Sequence, residues 1–456
     1  MSDAVTKFKR IVVISDLHLG GTGRVMMSRP DRLASFLGNL LRQVQSDERL
    51  ELVIAGDFVD FLAIEPWSSW TPEPDLARQK LEHTMSGKPF GTVFDTLRDL
   101  VRAGCALTIL LGNHDLELAL PGVQEALWRR LSAGPHQVHF LTDGRAHRVG
   151  GLLIEHGNRY DGANANDWEY LRLISSAHSR AEPSPVALRT SFGSQFVIDH
   201  VNHLKAYYPF IDLIQPQNEL VALLLLAFEP ELIWDWKRIC AGYKAQQLQG
   251  ENPQGRQPGK ICQIGASPLD KLDQELQSLF GSAYDQLRQP PQEVGKTELL
   301  RAYLDNRKDS LSEILGRGAA IPPERLMKIR VMLRRVLLDD ASARLDGPTE
   351  QYGKAAERLL KTVEGVQAVI MGHTHLPRKV AVGGGLYINT GTWTDRICVP
   401  DNVLQKGTDK TLEAFLRDLL HNRRPDSRAT FADARISPAG HVERIDLKEV
   451  HEHLSA

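Results

Sequence analysis

Cysteine is scarce in this sequence. The 456 residues hold four, Cys105, Cys240, Cys262 and Cys398, far apart and with no CxxC pair. That spacing excludes a disulfide framework or a thiolate zinc site as the organising principle. Long apolar runs are also missing. The longest, Leu220 to Phe228, is far short of the roughly 20 residues that a helix needs to cross a bilayer. The polar start, Met1 to Arg10, lacks the apolar core of a secretory signal, so the expected location is cytoplasmic. Neither charge is in surplus: Lys and Arg total 55, Asp and Glu 57, and the formal net charge is -2. A surface built wholly for nucleic acid is thereby excluded, though a local basic patch is not. No internal repeat is visible. The remaining composition, 42% hydrophobic and 25% charged, is that of an ordinary globular protein.

Short β-branched runs give the chain its rhythm. Ile11 to Ile14 is followed by Ser-Asp, Leu52 to Ala55 by Gly-Asp, and Leu107 to Leu111 by Gly-Asn. Each has the length and bounding turn of a buried strand. Helical spacing of apolar residues fills the gaps, at Arg32 to Val44 and Val93 to Ala103. Strands alternating with helices predict an α/β sheet, whose ligands bind beyond the carboxyl ends of the strands. Strand patterns continue at Gln137–Leu141, Arg145–Val149 and Leu152–Glu155 and return at Ala368–Met371, Arg378–Val382, Leu386–Asn389, Ala429–Ile436 and His441–Leu447. Most of the stretch between reads as helix: Trp168–Arg180, Glu219–Phe228, Leu269–Phe280, Glu324–Leu338 and Gln351–Val363. Two Gln-, Pro- and Gly-rich loops, Gln249–Lys260 and Gln286–Lys296, interrupt it. The expected organisation is one discontinuous catalytic domain, residues 1–160 and 361–456, around a helical insertion at 161–360.

Polar clusters follow five of the strand-like runs: Asp16-Leu17-His18, Gly56-Asp57-Phe58-Val59-Asp60, Gly112-Asn113-His114-Asp115, His156-Gly157 and Gly372-His373-Thr374-His375. One such cluster is weak evidence, but five in order at strand ends are hard to obtain by chance. Asp16, His18, Asp57, Asn113, His156, His373 and His375 offer carboxylate, imidazole and amide ligands without a thiolate. That donor mixture suits Mn²⁺, Fe or Zn²⁺. Seven ligands exceed the needs of one ion and suit two divalent ions that share a carboxylate, as in two-metal hydrolases acting at phosphorus. The glycines beside Asp57, Asn113, His156 and His373 are expected to allow the sharp turns that aim these side chains into one cleft.

The set SDLHLG, GDFVD, GNHD, HG and GHTH resembles the calcineurin-like metallophosphoesterase superfamily over residues 11–160 and about 366–395. The resemblance implies a layered α/β-sheet domain that hydrolyses a phosphodiester or pyrophosphate by attack of a hydroxide shared between two metal ions. It implies one ion on Asp16, His18 and His375, another on Asn113, His156 and His373, and Asp57 between them. His114 would stabilise or protonate the leaving oxygen, with Asp115 orienting its ring. Asp60 would steer a ligand histidine, and Asn158 and Arg159 would lie beside the ligands or the substrate. Within the superfamily, SDLHLG and the stretch from Gly157 to Asp161 look most like bacterial pyrophosphatases that cleave UDP-diacylglucosamine. That branch usually has Arg in place of His114 and a shorter insertion, so only its reaction class carries over, with a nucleotide-sugar or lipid-linked substrate as the extension.

Outside the motifs, a lid that selects the substrate is the leading reading of the insertion, against an oligomer interface or a stability add-on. Within it, Arg325, Lys328, Arg330, Arg334 and Arg335 line one helical stretch. Such a stretch can meet a polyphosphate, a nucleic acid or an anionic lipid surface, or be a solvated face. Leu220 to Phe228 reads as core rather than an acyl pocket. Trp67 and Trp70 read as packing at least as well as base-stacking platforms. His178, His200 and His203 lack ligand spacing and read as structural or surface residues. Two other functions compete with the pyrophosphate or diester hydrolase: a metal-dependent nuclease, which balanced charge disfavours, and a non-catalytic metal-bound scaffold, which loss of ligands would signal.

Overall fold

Val12 and Ile14 point to one side of their strand and Ile11 and Val13 to the other, and all four are buried. A strand with both faces apolar needs a layer on each side, and the computed structural model supplies both. The structure describes residues 8–21, 25–43, 48–64, 70–162, 164–183, 190–202, 205, 208, 210–213, 311–334, 350–397, 400, 403, 408–421 and 428–450. The chain forms two compact units. The first comprises Met1–Ile198, Pro348–Asp395 and Ser427–Ala456, and the second Asp199–Gly347 and Arg396–Asp426.

Two sheets build the first unit. One runs β11-β10-β1-β2-β3-β4 and the other β5-β6-β7-β9-β8. The strands are β1 Phe8–Ile14, β2 Glu48–Ala55, β3 Ala106–Leu110, β4 Val138–Leu141, β5 His147–Val149, β6 Leu152–Ile154, β7 Ala368–Met371, β8 Arg378–Val382, β9 Gly385–Asn389, β10 Thr430–Ile436 and β11 Val442–Glu449. β1 to β4 pair in parallel, as do β6, β7 and β9, while β5, β8, β10 and β11 pair antiparallel. The sheets bury Ile11, Val13, Val53 and Ala55 against Leu152, Ile154, Ala368 and Ile370 in one core.

Helices α1 Pro30–Gln43, α2 Pro74–Ser86, α3 Gly91–Arg102 and α4 Pro121–Leu131 share the other face of the first sheet. In α1, Leu33, Phe36, Leu37 and Leu40 recur at helical spacing and are all buried, with Asp31 in the first turn and Arg42 in the last. Those charges complement the helix dipole. Trp70 packs against this same core, so it serves packing. The α5 helix, Trp168–His178, starts at Asp167, whose carboxylate accepts the Tyr170 N–H at 3.2 Å, a standard N-terminal cap. A short α6 follows at Phe192–Phe196. On the second sheet's outer face, Tyr352 and Ala356 of a later helix, Glu350–Thr362, meet Val369 and Met371. The order is therefore helices, sheet, sheet, helix, a layered α/β fold as expected.

In the second unit, α7 Leu311–Gly316 and α8 Pro323–Arg334 precede the Glu350–Thr362 helix, α9, in the chain, and α10 Asp409–His421 follows it. The α8 helix buries Leu326 and Ile329, and α10 buries Leu412 and Leu416. Arg330 forms an ion pair with Asp409 at 2.8 Å, so this member of the basic stretch is engaged within the unit. His178 is partly buried. Trp67, His203, Arg335, Leu220–Phe228, Leu269–Phe280, both Gln-rich loops, Cys240, Cys262 and Cys398 lie outside the described residues. Among the described residues, no helix is long and apolar enough to cross a membrane. Cys105 is buried, and burial pushes its thiol up to about 12, where it is inert as a nucleophile.

Candidate metal centre

The parallel strands β1, β2, β3, β6 and β7 all end at the same place, and each of the five polar clusters begins just beyond one of those ends. Leu17 N–H and His18 N–H both donate to the Asp57 carbonyl at 2.9 Å, and Asp16 N–H donates to the Gly56 carbonyl at 3.1 Å. The first two loops are thereby stitched together. The second sheet joins them through His373 N–H, which donates to the Asp16 carboxylate at 3.0 Å. Asp16, His18, Asp57, His373 and His375 all have positive φ, between 45° and 70°, and among the described non-glycine residues only Ser132 and Ala181 share that trait. Left-handed backbone is costly for such residues and persists where surrounding structure enforces it, most often at functional sites.

The glycines serve two distinct purposes. Gly56 and Gly157 take positive φ and supply turns. Gly112 and Gly372 do not. They are needed for space, because a Cβ at Gly112 would strike the Asp57 carboxylate and one at Gly372 the Ser15 and Asp16 side chains. Left-handed backbone, where glycine is favoured, thus occurs at two of these four positions.

Three ligand groups converge. Asp16, His18 and His375 form one, Asp57, His156 and His373 a second, and His18, Asp57 and His114 a third, each with ligand atoms within 4.8 Å of one another. His18 Nε2 and His375 Nε2 face each other at 3.3 Å. His375 Nε2 lies 3.2 Å from Asp16 Oδ1, and His156 Nε2 lies 3.2 Å from Asp57 Oδ2. Asn113 joins by its amide: Nδ2 donates to Asn164 Oδ1 at 3.4 Å, while the buried Oδ1 makes no hydrogen bond. His156 donates Nδ1–H to the Ala55 carbonyl at 2.8 Å, which leaves the Nε2 lone pair aimed at Asp57. An acceptor buried without a donor is expensive. Two buried carboxylates and the imidazole nitrogens within 4.8 Å of one another, with the unpartnered Asn113 oxygen, make a donor set that a cation would satisfy. The set fits divalent metal ions with oxygen and nitrogen ligands.

Electrostatics agree with that reading. Burial alone would raise the Asp57 carboxyl, but the surrounding His156, His114 and His18 hold it well below the ordinary range. Burial would lower His156, yet the Asp57 and Asp16 charges push it up to about 10. With only protons available, the carboxylates draw positive charge onto the imidazoles; a metal ion meets the same demand.

The carboxylate that meets the His114 ring is Asp60, with Asp60 Oδ1 3.0 Å from His114 Nδ1. Asp60 Oδ2 also lies 3.7 Å from His18 Nδ1, and both imidazoles hold its carboxyl well below the ordinary range against the opposing effect of burial. Asp115 does something else. Its carboxylate accepts the Gly112 N–H at 2.7 Å and the Phe58 N–H at 2.8 Å. It ties the second and third loops together, and the expectation that it orients the His114 ring gives way to Asp60. Burial and the Asp57 charge push Asp115 up to about 8.

Asn158 is buried and donates Nδ2–H to the Asn164 carbonyl at 2.9 Å, so it anchors the loop. Arg159 reaches the Gly144 carbonyl and lies 3.6 Å from Glu155. Sequence reasoning passed over Asp161, Asn164 and Asn166. Asp161 Oδ2 is 3.0 Å from His373 Nε2, and Asn166 Nδ2 donates to the Gly112 carbonyl at 2.8 Å. The Asp and Asn density immediately after His156-Gly157 was the available signal.

Residues 9–213 match the family model described as calcineurin-like phosphoesterase. The matched stretch holds every site residue named above except His373 and His375, which lie beyond it. No curated protein matches the chain significantly. Among solved structures, a phosphopantetheinyl hydrolase from Mycobacterium tuberculosis aligns at 14% identity over 85% of this chain and 91% of its own, with a TM-score of 0.23. A superposition that loose carries no argument. The match falls on four of the five strand ends that build the site; over residues 9–213 the chain is similar to the calcineurin-like phosphoesterases, and the protein is a phosphoester hydrolase.

Proposed function

We propose that the protein hydrolyses a phosphodiester or pyrophosphate with two divalent metal ions. Asp16, His18 and His375 hold one, Asn113, His156 and His373 hold the other, and Asp57 lies between them. The observation that carries this reading is the convergence of these residues from five separate strand ends, with a buried Asn113 oxygen that no protein donor satisfies. Bound divalent ions supply charge for the phosphoryl oxygens and an activated water. His114, the partly exposed imidazole at the rim, donates a proton to the leaving oxygen. Asp60 holds that ring through Nδ1 and leaves Nε2 for the substrate. The insertion is proposed to select the substrate, with a nucleotide sugar or a lipid-linked pyrophosphate as the class to try first.

The test is a Mn²⁺-supplemented hydrolysis panel of a generic diester, a monoester, nucleotide-sugar pyrophosphates and single-stranded DNA, run beside Asp57→Ala. The expected outcome is turnover of a diester or pyrophosphate, with both metal content and hydrolysis lost in the variant. Full activity in Asp57→Ala would refute the reading. Cleavage of DNA alone, with steep salt dependence, would replace it with the nuclease.

A further inference from the structure

We propose that Asp161 is a positioning residue for one of the two cations, setting two of its ligands at once. The proposal rests on the dinuclear reading above. Asp161 Oδ2 lies 3.0 Å from His373 Nε2 and accepts a second hydrogen bond from Asn164 Nδ2 at 2.7 Å. Asn164 Oδ1 in turn accepts from Asn113 Nδ2 at 3.4 Å. One carboxylate thus begins a chain that runs Asp161, Asn164, Asn113 on one side and ends directly on His373 on the other.

Each link has a chemical consequence. A carboxylate on Nε2 fixes the His373 tautomer with Nε2–H as donor and Nδ1 as the lone pair available to a metal, and it makes the imidazole a stronger ligand. An acceptor on Asn113 Nδ2 fixes the amide so that Oδ1, the ligating atom, faces the site. The loop that carries Asp161 and Asn164 is itself secured. Asn164 N–H donates to the Asp161 carbonyl at 3.0 Å, Asn158 Nδ2 donates to the Asn164 carbonyl, and a Cβ at Gly193 would collide with the Asn164 side chain. Ser194 of α6 holds the Asn113 carbonyl at 2.9 Å. The remaining histidine of this cation, His156, is oriented by a backbone carbonyl, Ala55, which side-chain replacement does not remove.

The other cation is built differently. Asp16 is held by Ser15 Oγ and the His373 N–H, and His18 lies beside Asp60. Within the hydrogen bonds just described, Asp161 reaches neither Asp16 nor His18. Loss of the Asp161 carboxylate is therefore expected to weaken one cation and spare the other, an asymmetry that a merely destabilised fold does not produce.

The experiment titrates Mn²⁺ alone into the metal-stripped full chain. Calorimetry reads stoichiometry and affinity, and electron paramagnetic resonance distinguishes a spin-coupled pair from a single ion. The wild type is expected to bind two ions and show the pair signal. In Asp161→Ala one of the two steps is expected to fall about 10- to 100-fold, the pair signal to give way to a single-ion signal at equal Mn²⁺, and the other step to hold. Asn164→Ala, which keeps the His373 contact, is expected to shift the same step by less. Asp161→Asn keeps the shape and is the variant to use if the alanine does not fold; it is expected to lie between wild type and alanine. Wild-type affinity at both steps in folded Asp161→Ala or Asp161→Asn overturns the proposal and leaves the dinuclear reading standing. Equal weakening of both steps also overturns it. A wild type that binds fewer than two ions overturns the dinuclear reading itself, and the proposal with it.

Discussion

Replacing Asp60 by Asn should slow hydrolysis only as long as His114 is present. The structure places Asp60 Oδ1 3.0 Å from His114 Nδ1, with the Asp60 side chain 3% exposed and that of His114 14% exposed. A hydrogen bond to a charged group in such surroundings is worth roughly 1.5–3 kcal/mol. If that stabilisation is what keeps the imidazole oriented and protonated for the transfer, Asp60→Asn costs about 10- to 150-fold in kcat/KM. Removing the ring, in His114→Ala, removes proton transfer itself and costs about 10²- to 10⁴-fold. Because Asp60 acts through His114, the double variant should be no slower than His114→Ala. The coupling energy of the cycle then equals the full effect of Asp60→Asn. The assay is steady-state hydrolysis of a chromogenic diester at saturating Mn²⁺. Metal content is measured on every variant, because Asp60 also lies 3.7 Å from His18. An equal slowing by Asp60→Asn with and without His114, at unchanged metal content, refutes the dyad.

Two further predictions concern stability. Glu51 on β2 is buried and meets Lys9 at 2.6 Å, His147 at 2.7 Å and Thr108 at 2.7 Å. Burial would raise its carboxyl, but the His147 and Lys9 contacts bring it down from 4.5 to about 2. A folded value below the unfolded one stabilises the protein above pH 4.5, and that contribution, about 3 kcal/mol, disappears as the pH falls from 4.5 through about 2. Urea unfolding of Glu51→Gln should show a loss of that order at pH 7 that vanishes near pH 2; a constant difference across that window contradicts the assignment. Lys80 on α2 and Glu117 form a wholly buried pair at 3.5 Å. Lys80→Met alone is expected to cost about 3–5 kcal/mol by stranding Glu117, and the double change with Glu117→Leu to recover most of it. A double variant less stable than either single one would show that the pair stabilises the fold beyond mutual compensation.

Much of this protein was legible because its signals are local. The buried strands announce themselves as β-branched runs closed by a turn, and β1, β2, β3, β6 and β7 fall where those runs lie. The ligand candidates follow directly at the strand ends, so an ordered chain of motifs suffices to name them. Helices α2 and α4 escaped the sequence reading. In α2 the buried face includes Lys80 and Thr84, which spoil an apolar periodicity, and the partner that makes Lys80 tolerable is Glu117, 37 residues away.

The sequence by itself determined the inventory: which residues carry oxygen and nitrogen donors, the order in which they leave the strands, and the class of chemistry they serve. Tertiary structure alone decided their pairing. The His114 ring meets Asp60 at Nδ1, while the Asp115 carboxylate goes to the Gly112 and Phe58 amides. Neighbours in sequence point in different directions once a loop bends, and distant ones meet. For that reason Asp115, adjacent to His114, serves the backbone, while Asp161 reaches across 212 residues to His373.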